Sequence, residues 1–193
     1  GPGEAAGEGR GSSRKGIDRS SGGRLQAIEL VPIGAVDHAT LAALREALAE
    51  RFGTDVAIGR AIELRPEWYD PEQGQYRADA ILDALEELHR DGRRLLGVTD
   101  VDLYAPGYSF VFGQATVGGC CGVIGLARLR PEFYGDPPDE RRFLERALIE
   151  AVHELGHMAG LDHCPDPHCV MHFSRTLEDT DIKGPDFCPR CRL

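Results

Sequence analysis

The chain has 193 residues and a formal net charge of −10, which argues against nucleic acid or an anionic membrane as its main partner. Its hydrophobic content of 41% and charged content of 28% are ordinary for a globular protein of one domain. No apolar run is long enough for a transmembrane helix, and no apolar signal segment is present. We therefore expect a cytoplasmic monomer that binds neither nucleic acid nor a membrane.

The first 24 residues are rich in Gly, Ser, Arg and Glu and contain almost no large apolar side chains. Such a segment cannot bury enough surface to order itself, so residues 1–24 are predicted to be a disordered tail or a remnant of cloning. Residues 25–31 are apolar and β-rich and stop at Pro32, which predicts a first strand. A helix capped by Asp37 follows, with four core-facing residues at helical spacing: Leu41, Leu44, Leu48 and Phe52.

The next elements alternate between strand and helix. The patterns predict a strand at 55–64, a loop at 65–75, a helix at 77–90, and strands at 95–103, 109–112 and 121–129. The glycine-rich connection between the last two strands is too short for a crossover helix, so these strands should be antiparallel neighbours. The predicted fold class is α/β (α+β), with a twisted, mostly parallel five-stranded sheet, one antiparallel edge strand and backing helices.

A long helix is predicted after Pro137 and Pro138, because acidic residues follow these prolines and an apolar stripe continues from them. Residues 153–163 on and after this helix read HELGHMAGLDH. His153 and His157 are four apart and share one helix face, Gly160 permits a sharp turn, and His163 can return as a third ligand. Three nitrogen ligands leave one position on zinc open for water, which is typical of a catalytic site, with Glu154 beside it. Two ordinary histidines on a helix face are the alternative.

Four cysteines follow the histidines in two close pairs, Cys164 with Cys169 and Cys188 with Cys191. This pattern predicts a closed, structural zinc site with four thiolate ligands, and two disulfides are the alternative. With four cysteines present, His168 and His172 are not needed as ligands. The adjacent Cys120 and Cys121 are expected to be free thiols, with a redox role as the alternative, since neighbouring cysteines rarely bridge each other.

The histidine motif joined directly to Cys164, then C-V-M at 169–171 and C-P-R-C at 188–191, resembles the archaemetzincin family of metzincin metallopeptidases. Segments 110–115 and 122–129 are also similar to that family. The resemblance implies two zinc ions per chain: a catalytic one on His153, His157 and His163, with Glu154 as general base, and a structural one on Cys164, Cys169, Cys188 and Cys191. It also implies that Met171 lies in a turn beneath the catalytic metal, although a flexible core filler is the alternative for this methionine.

The same resemblance implies that an edge strand lines the cleft and pairs with an extended substrate. We expect this role near residues 112–118, and the candidate substrate-binding residues are Phe112, Gly113, Gln114 and Ala115. A plain tight connection would explain the same glycines. Residues 25–193 are predicted to form one metzincin-like domain, with a sheet-and-helix part at 25–160 and a small zinc-bound part at 161–193.

These observations predict a zinc-dependent peptidase that hydrolyses peptide bonds through a zinc-activated water, with Glu154 as general base and acid. Aminopeptidase and endopeptidase action are both compatible with the motif. The alternative is a zinc-stabilised peptide- or protein-binding module with little or no hydrolytic activity, since a fold does not determine a function. A third hypothesis makes the C-terminal cysteines a zinc-ribbon interaction module.

Overall fold

The computed structural model describes residues 27–90 and 92–192. The predicted tail at residues 1–24 lies outside the described residues, as do the first two residues of the predicted first strand. In chain order the elements are β1 (Ile28–Ile33), α1 (His38–Phe52), β2 (Val56–Ile58), β3 (Tyr69–Asp70), β4 (Gln75–Arg77), α2 (Ala78–Leu88), β5 (Arg94–Thr99), β6 (Leu103–Tyr104), β7 (Gly113–Ala115), β8 (Cys121–Gly125), α3 (Glu140–Met158) and α4 (Leu177–Lys183).

A five-stranded sheet forms the centre of the molecule, in the order β2-β1-β5-β8-β7. The first four strands are parallel, and β7 is antiparallel to β8. The predicted mostly parallel sheet with an antiparallel edge strand is therefore confirmed. Helices α1 and α3 pack with one apolar cluster of the sheet, and α2 packs with the other.

The edge strand differs in position from the prediction. The strand is Gly113–Ala115, and the predicted strand at residues 109–112 is not one. Val111 instead bridges to Leu103, with its N–H donating to the Leu103 carbonyl at 2.9 Å. Because this bridge holds residue 111 beside β6, pairing with β8 begins only at Gly113, which faces Ile124.

A second, three-stranded sheet of β3, β4 and β6 was missed in the sequence. Its strands are two or three residues long, too short to show a hydrophobic period. Strand β3 and the first residue of β4 lie in the predicted loop 65–75. The strand predicted at 95–103 ends at Thr99, because Leu103 already belongs to β6 of this second sheet. The strand predicted at 55–64 is only Val56–Ile58, and the one predicted at 121–129 ends at Gly125, before a 3-10 turn.

The long helix α3 begins where it was predicted. The Asp139 carboxylate accepts a hydrogen bond from the Arg142 N–H at 3.1 Å, which caps the first turn. Helix α4 was not predicted, although Thr176 and Asp179 form a capping box that marks its start. Among the described residues, no helix combines the length and the apolar character that a membrane span requires.

Candidate active site and metal centres

The C-terminal half of α3 carries two of the three predicted histidine ligands on its buried face. His153 and His157 are 5% and 4% exposed, and their Nε2 atoms lie 3.1 Å apart. The spacing of four residues places the two rings one helical turn apart, so both nitrogens point to the same spot. The sequence-predicted pair is therefore brought together as expected.

The third histidine arrives because the chain turns sharply at the end of α3. Gly160 has a φ of 102°, a conformation that residues with a side chain rarely adopt. The Leu161 N–H then donates to the Gly156 carbonyl at 3.0 Å, which closes the turn. His163 follows, and its Nε2 lies 3.1 Å from Nε2 of His157. The structure thus places Gly160 at the turn and brings His163 beside His157, where a third metal ligand would have to lie.

The hydrogen bonds of two rings determine which nitrogen faces the centre. Nδ1 of His153 lies 2.7 Å from the Val170 carbonyl, and Nδ1 of His157 lies 2.7 Å from the Leu161 carbonyl. A carbonyl only accepts, so both Nδ1 atoms carry the proton and both Nε2 atoms present lone pairs. Two lone pairs at 3.1 Å repel each other unless a cation lies between them.

The three nitrogens fit a zinc ion. Tetrahedral ligands at about 2.05 Å from zinc are about 3.3 Å from each other, close to the 3.1 Å between Nε2 of His157 and Nε2 of each of the other two histidines. The histidines must be neutral to bind a metal, and burial favours this form. Burial lowers the pKa of His153 well below its usual range, and burial with the nearby His157 lowers the pKa of His163 to about 4.

Glu154 lies beside the histidines with one oxygen unsatisfied. Its side chain is 3% exposed, and Oε2 is buried without a hydrogen-bond partner among the described residues. A Cβ atom on Gly113 would come within 2.8 Å of Glu154 Oε1, so the glycine lets the edge strand approach this carboxyl. Burial, and then the nearby Glu150 carboxylate, raise the pKa of Glu154 well above its usual range, while Lys183 opposes the shift. A raised pKa suits a carboxyl that takes a proton and later returns it.

Met171 packs against α3 close to the histidines, fully buried. A Cβ atom on Gly156 would collide with the Met171 sulfur, so this helical glycine makes room for the methionine. The backbone around Met171 is also held, because the Cys164 N–H donates to the Met171 carbonyl at 2.9 Å. These contacts support the predicted place of Met171 next to the histidine site.

The four predicted cysteines also converge. Their sulfur atoms all lie within 4.8 Å of one another, and the sulfurs of Cys164 and Cys188 are 3.8 Å apart. Ligands at about 2.3 Å from a tetrahedral zinc are about 3.8 Å from each other, whereas a disulfide requires about 2.05 Å. All four are free thiols. The geometry therefore fits the predicted metal site and contradicts the disulfide alternative.

The backbone of the cysteine loop supports thiolates as ligands. The Sγ of Cys169 accepts hydrogen bonds at 3.4 Å from the N–H groups of Met171 and Cys188. Burial raises the pKa of Cys169 and Cys191, so these two thiols need the metal itself to become thiolates. For Cys188, burial is outweighed by backbone N–H groups, which bring its pKa to about 7. Of the two nearby histidines, His168 is exposed, and His172 is hydrogen-bonded through Nδ1 to the Cys164 carbonyl at 2.9 Å.

The two sites are coupled through a single residue. Val170 lies between Cys169 and Met171, and its carbonyl is the acceptor that orients His153. The same residue donates its N–H to the Asp186 carbonyl at 2.9 Å. A metal on the cysteines would thus fix the position of the carbonyl that orients the His153 ring.

A small pocket opens over the histidines and Glu154. Its other lining residues are Val111, Phe112, Gly113, Glu150, Phe173 and Ser174. Two of the four predicted substrate-binding residues, Phe112 and Gly113, are in this lining, whereas Gln114 and Ala115 are not. Ala115 packs in the core with α3, and Gln114 is half-buried one register position further along β7.

Sequence reasoning missed Glu150, Phe173 and Ser174. Glu150 could have been found, because it lies four residues before Glu154 and shares its helix face. Phe173 and Ser174 carry no such signal, since they follow Met171 in an irregular segment. The remaining thiols, Cys120 and Cys121, have sulfurs 3.4 Å apart and are free. Burial raises the pKa of Cys121, which disfavours the redox alternative.

Comparison with known proteins places this geometry in a family. The model of Peptidase family M54 matches residues 52–193. The archaemetzincin of Pyrococcus furiosus is 46% identical over 171 residues, which cover 85% of this chain and 89% of the relative. The archaemetzincin of Thermococcus kodakarensis is 40% identical over 174 residues, which cover 86% of this chain and 94% of the relative.

Solved structures agree with this result. The crystal structure of archaemetzincin from Methanopyrus kandleri superposes with a TM-score of 0.77 at 39% identity, covering 89% of this chain and 94% of that one. A zinc-dependent peptidase from Methanocorpusculum labreanum superposes with a TM-score of 0.78 at 30% identity, covering 86% of this chain and 97% of that one.

The packing of Met171 against α3 can be tested with Gly156→Ala. At a solvent-exposed position in a helix, this change stabilises the folded protein by about 1 kcal/mol. Here we expect the opposite sign, a loss of about 1–3 kcal/mol in the free energy of unfolding, because the new methyl group displaces Met171. Urea unfolding of the zinc-loaded protein measures the loss. Met171→Ala combined with Gly156→Ala should cost less than the sum of the two single changes. A gain in stability for Gly156→Ala alone would show that the contact is absent.

Proposed function

The chain belongs to peptidase family M54, and from this premise we propose that His153, His157 and His163 hold its catalytic zinc while Glu154 moves the proton during hydrolysis. The protein is a zinc-dependent metallopeptidase with a peptide or protein as its substrate. One observation carries the assignment of roles. Nε2 of His157 lies 3.1 Å from Nε2 of both His153 and His163, and the carboxyl beside them has a buried oxygen without a partner among the described residues.

When bound by the histidines, zinc supplies Lewis-acid chemistry, because it lowers the pKa of a water molecule to about 7 and polarises a carbonyl. The protein's own residues do the rest. The carbonyls of Val170 and Leu161 hold two imidazoles in the tautomer that exposes Nε2. Glu154 accepts a proton from the attacking water at its free oxygen and returns it to the nitrogen of the leaving amine, so one carboxyl serves both steps.

We propose that the substrate backbone runs along the outer edge of β7. This strand ends the five-stranded sheet, so its outer edge pairs with no strand among the described residues. Gly113 lies against Glu154, and Phe112 and Gly113 line the pocket. A peptide added beside β7 would pass close to the catalytic carboxyl. Gln114 and Ala115 would then contribute through their backbone groups.

We further propose a second, structural zinc on Cys164, Cys169, Cys188 and Cys191, which makes two ions per chain. The sulfur spacing supports it, as does the packing of Phe187, Cys188 and Cys191 against the same core as α3. This packing also supports a single domain at 25–193 in which residues 161–193 form a small metal-bound part. Free thiols that bind a metal favour a reducing compartment, consistent with a cytoplasmic location. The strongly acidic composition still disfavours nucleic acid, and we keep a monomer as the expected state.

Glu154→Gln tests the proton-transfer role. The variant keeps the shape of the side chain but cannot accept a proton, so we expect kcat to fall by about 10²–10⁴-fold while two zinc ions per chain remain. Peptide hydrolysis and elemental analysis measure the two quantities. Glu145→Gln is the matched control, because Glu145 lies on the same helix but is 59% exposed. Wild-type turnover in Glu154→Gln would refute the assignment.

Cys191→Ser tests the structural site. We expect zinc content to fall from two ions per chain to one and Tm to fall by about 10 °C or more, since each 1 kcal/mol shifts Tm by about 2–4 °C in a chain of this size. Activity should fall as well, because the cysteine loop carries the Val170 carbonyl that orients His153. Cys120→Ser is the control and should leave zinc content unchanged. An unchanged content of two ions in Cys191→Ser would refute the assignment of this ligand, and a single ion in the unaltered protein would rule out the second site.

A further inference from the structure

A buried polar network lies directly behind the pocket. Lys183 has a side chain that is 0% exposed, and its Nζ lies 3.3 Å from Glu150 Oε1 and 3.2 Å from the His172 carbonyl. Three residues earlier on α4, the Thr180 hydroxyl lies 2.9 Å from Glu150 Oε1 and 3.0 Å from the Ser174 hydroxyl. Thus Thr180 contacts two residues of the pocket lining, Glu150 and Ser174, and Lys183 contacts one of them, Glu150.

The walls differ in what they offer a substrate. Val111, Phe112 and Phe173 make the apolar part of the lining, whereas Glu150 and Ser174 are its polar members besides the catalytic residues. Glu150 is only 2% exposed and Ser174 only 5%. A polar group so deeply buried in a substrate pocket costs free energy unless it is hydrogen-bonded.

The direction of the hydrogen bonds follows from the chemistry of the groups. A carboxylate only accepts, so Thr180 donates its single hydroxyl proton to Glu150. Thr180 must then accept from Ser174, which uses the Ser174 proton. The pocket therefore faces the substrate with two acceptors, the Glu150 carboxylate and the Ser174 oxygen.

Charge narrows the class of ligand further. A substrate carboxylate would be repelled by Glu150. A substrate cation would find the charge of Glu150 already neutralised by Lys183, so its own desolvation would not be compensated. A large apolar side chain would cover the Ser174 oxygen and the lone pairs of the Glu150 carboxylate that Thr180 and Lys183 do not use, and these would then lack donors.

From this network we propose that Glu150 and Ser174 determine specificity, and that the pocket selects a short uncharged side chain with a hydroxyl donor, serine or threonine, next to the scissile bond. Threonine fits best, because its methyl group suits the apolar walls and its hydroxyl suits the two acceptors. Lys183 and Thr180 act behind them as positioning residues. The inference rests on the proposed function, since it concerns the substrate of the same site.

The test compares peptides that differ only by threonine or valine, which have nearly the same shape, on each side of the scissile bond in turn. We expect the zinc-loaded protein to prefer threonine at one of these positions by about tenfold or more in kcat/KM, because a site built for a hydroxyl rejects the analogue that lacks it. Equal rates with threonine and valine at both positions would overturn the proposal.

The double variant Glu150→Leu with Lys183→Met removes both charges together, so no unpaired charge is left in the core. It should lose the preference for threonine and favour valine.

Ser174→Ala keeps the ion pair and should reduce the threonine preference to a smaller extent. Arg146→Met with Asp181→Leu is the matched control, because this pair also ties α3 to α4, at 2.8 Å, but does not line the pocket. Its ratio of kcat/KM for the threonine peptide to kcat/KM for the valine peptide should equal that of the unaltered protein, even if its Tm falls. A double variant that binds two zinc ions and keeps the threonine preference would overturn the proposal.

Binding to the Glu154→Gln protein separates this inference from the proposed function. Calorimetry with the same peptides measures selectivity without turnover, and threonine peptides should bind about tenfold more tightly than valine peptides. If no peptide is cleaved but this ratio holds, the proposed activity fails and the pocket assignment stands. If peptides are cleaved but the ratio is one, the pocket assignment fails and the peptidase assignment stands.

Discussion

Three imidazoles whose Nε2 atoms meet beside one buried carboxyl are the constraint around which this molecule is organised. The lone pairs of His153 and His157 face each other at 3.1 Å and repel without a cation, and each of these two rings depends on a carbonyl that holds its other nitrogen. One of these carbonyls belongs to the turn after α3, and the other to the cysteine loop. Helix, turn and loop must therefore all be in place before the histidines can bind a metal.

The cysteine cluster has a consequence for catalysis as well as for folding. It lies in the same apolar cluster as α3 and brackets Val170, whose carbonyl orients His153. A zinc ion there would stabilise the cysteine loop, which leads directly into the pocket residues Phe173 and Ser174. On the other side of these residues, α4 is joined to α3 by ion pairs to Glu150 and Arg146. In the proposed assignment, substrate selection and metal binding would both depend on the same C-terminal segment.

Much of the active site could be predicted because its residues are close in sequence. The spacing of His153, Glu154 and His157 determines one helix face, and the paired cysteines indicate a thiolate site. Glu150 lies four residues before Glu154 on the same helix face, so its place beside the site could have been predicted by the same spacing. Lys183 and Ser174 could not, since nothing in their local pattern distinguishes a buried ion-paired lysine from an exposed one. The edge strand was displaced for a related reason: the bridge between Val111 and Leu103 joins segments whose pairing no local period reveals.

The sequence by itself determined the family and the class of reaction and predicted the ligand residues, because these depend on residue types at short, fixed separations. It also determined the parallel sheet with its antiparallel edge, since connection lengths limit how strands can pair. The tertiary structure alone decided which oxygen of Glu154 is free, which way the hydroxyls of Thr180 and Ser174 donate, and what the pocket presents to a substrate. Those properties arise from contacts among the edge strand, α3, the loop after it and α4, which no local sequence pattern reveals and which form only when the core is packed.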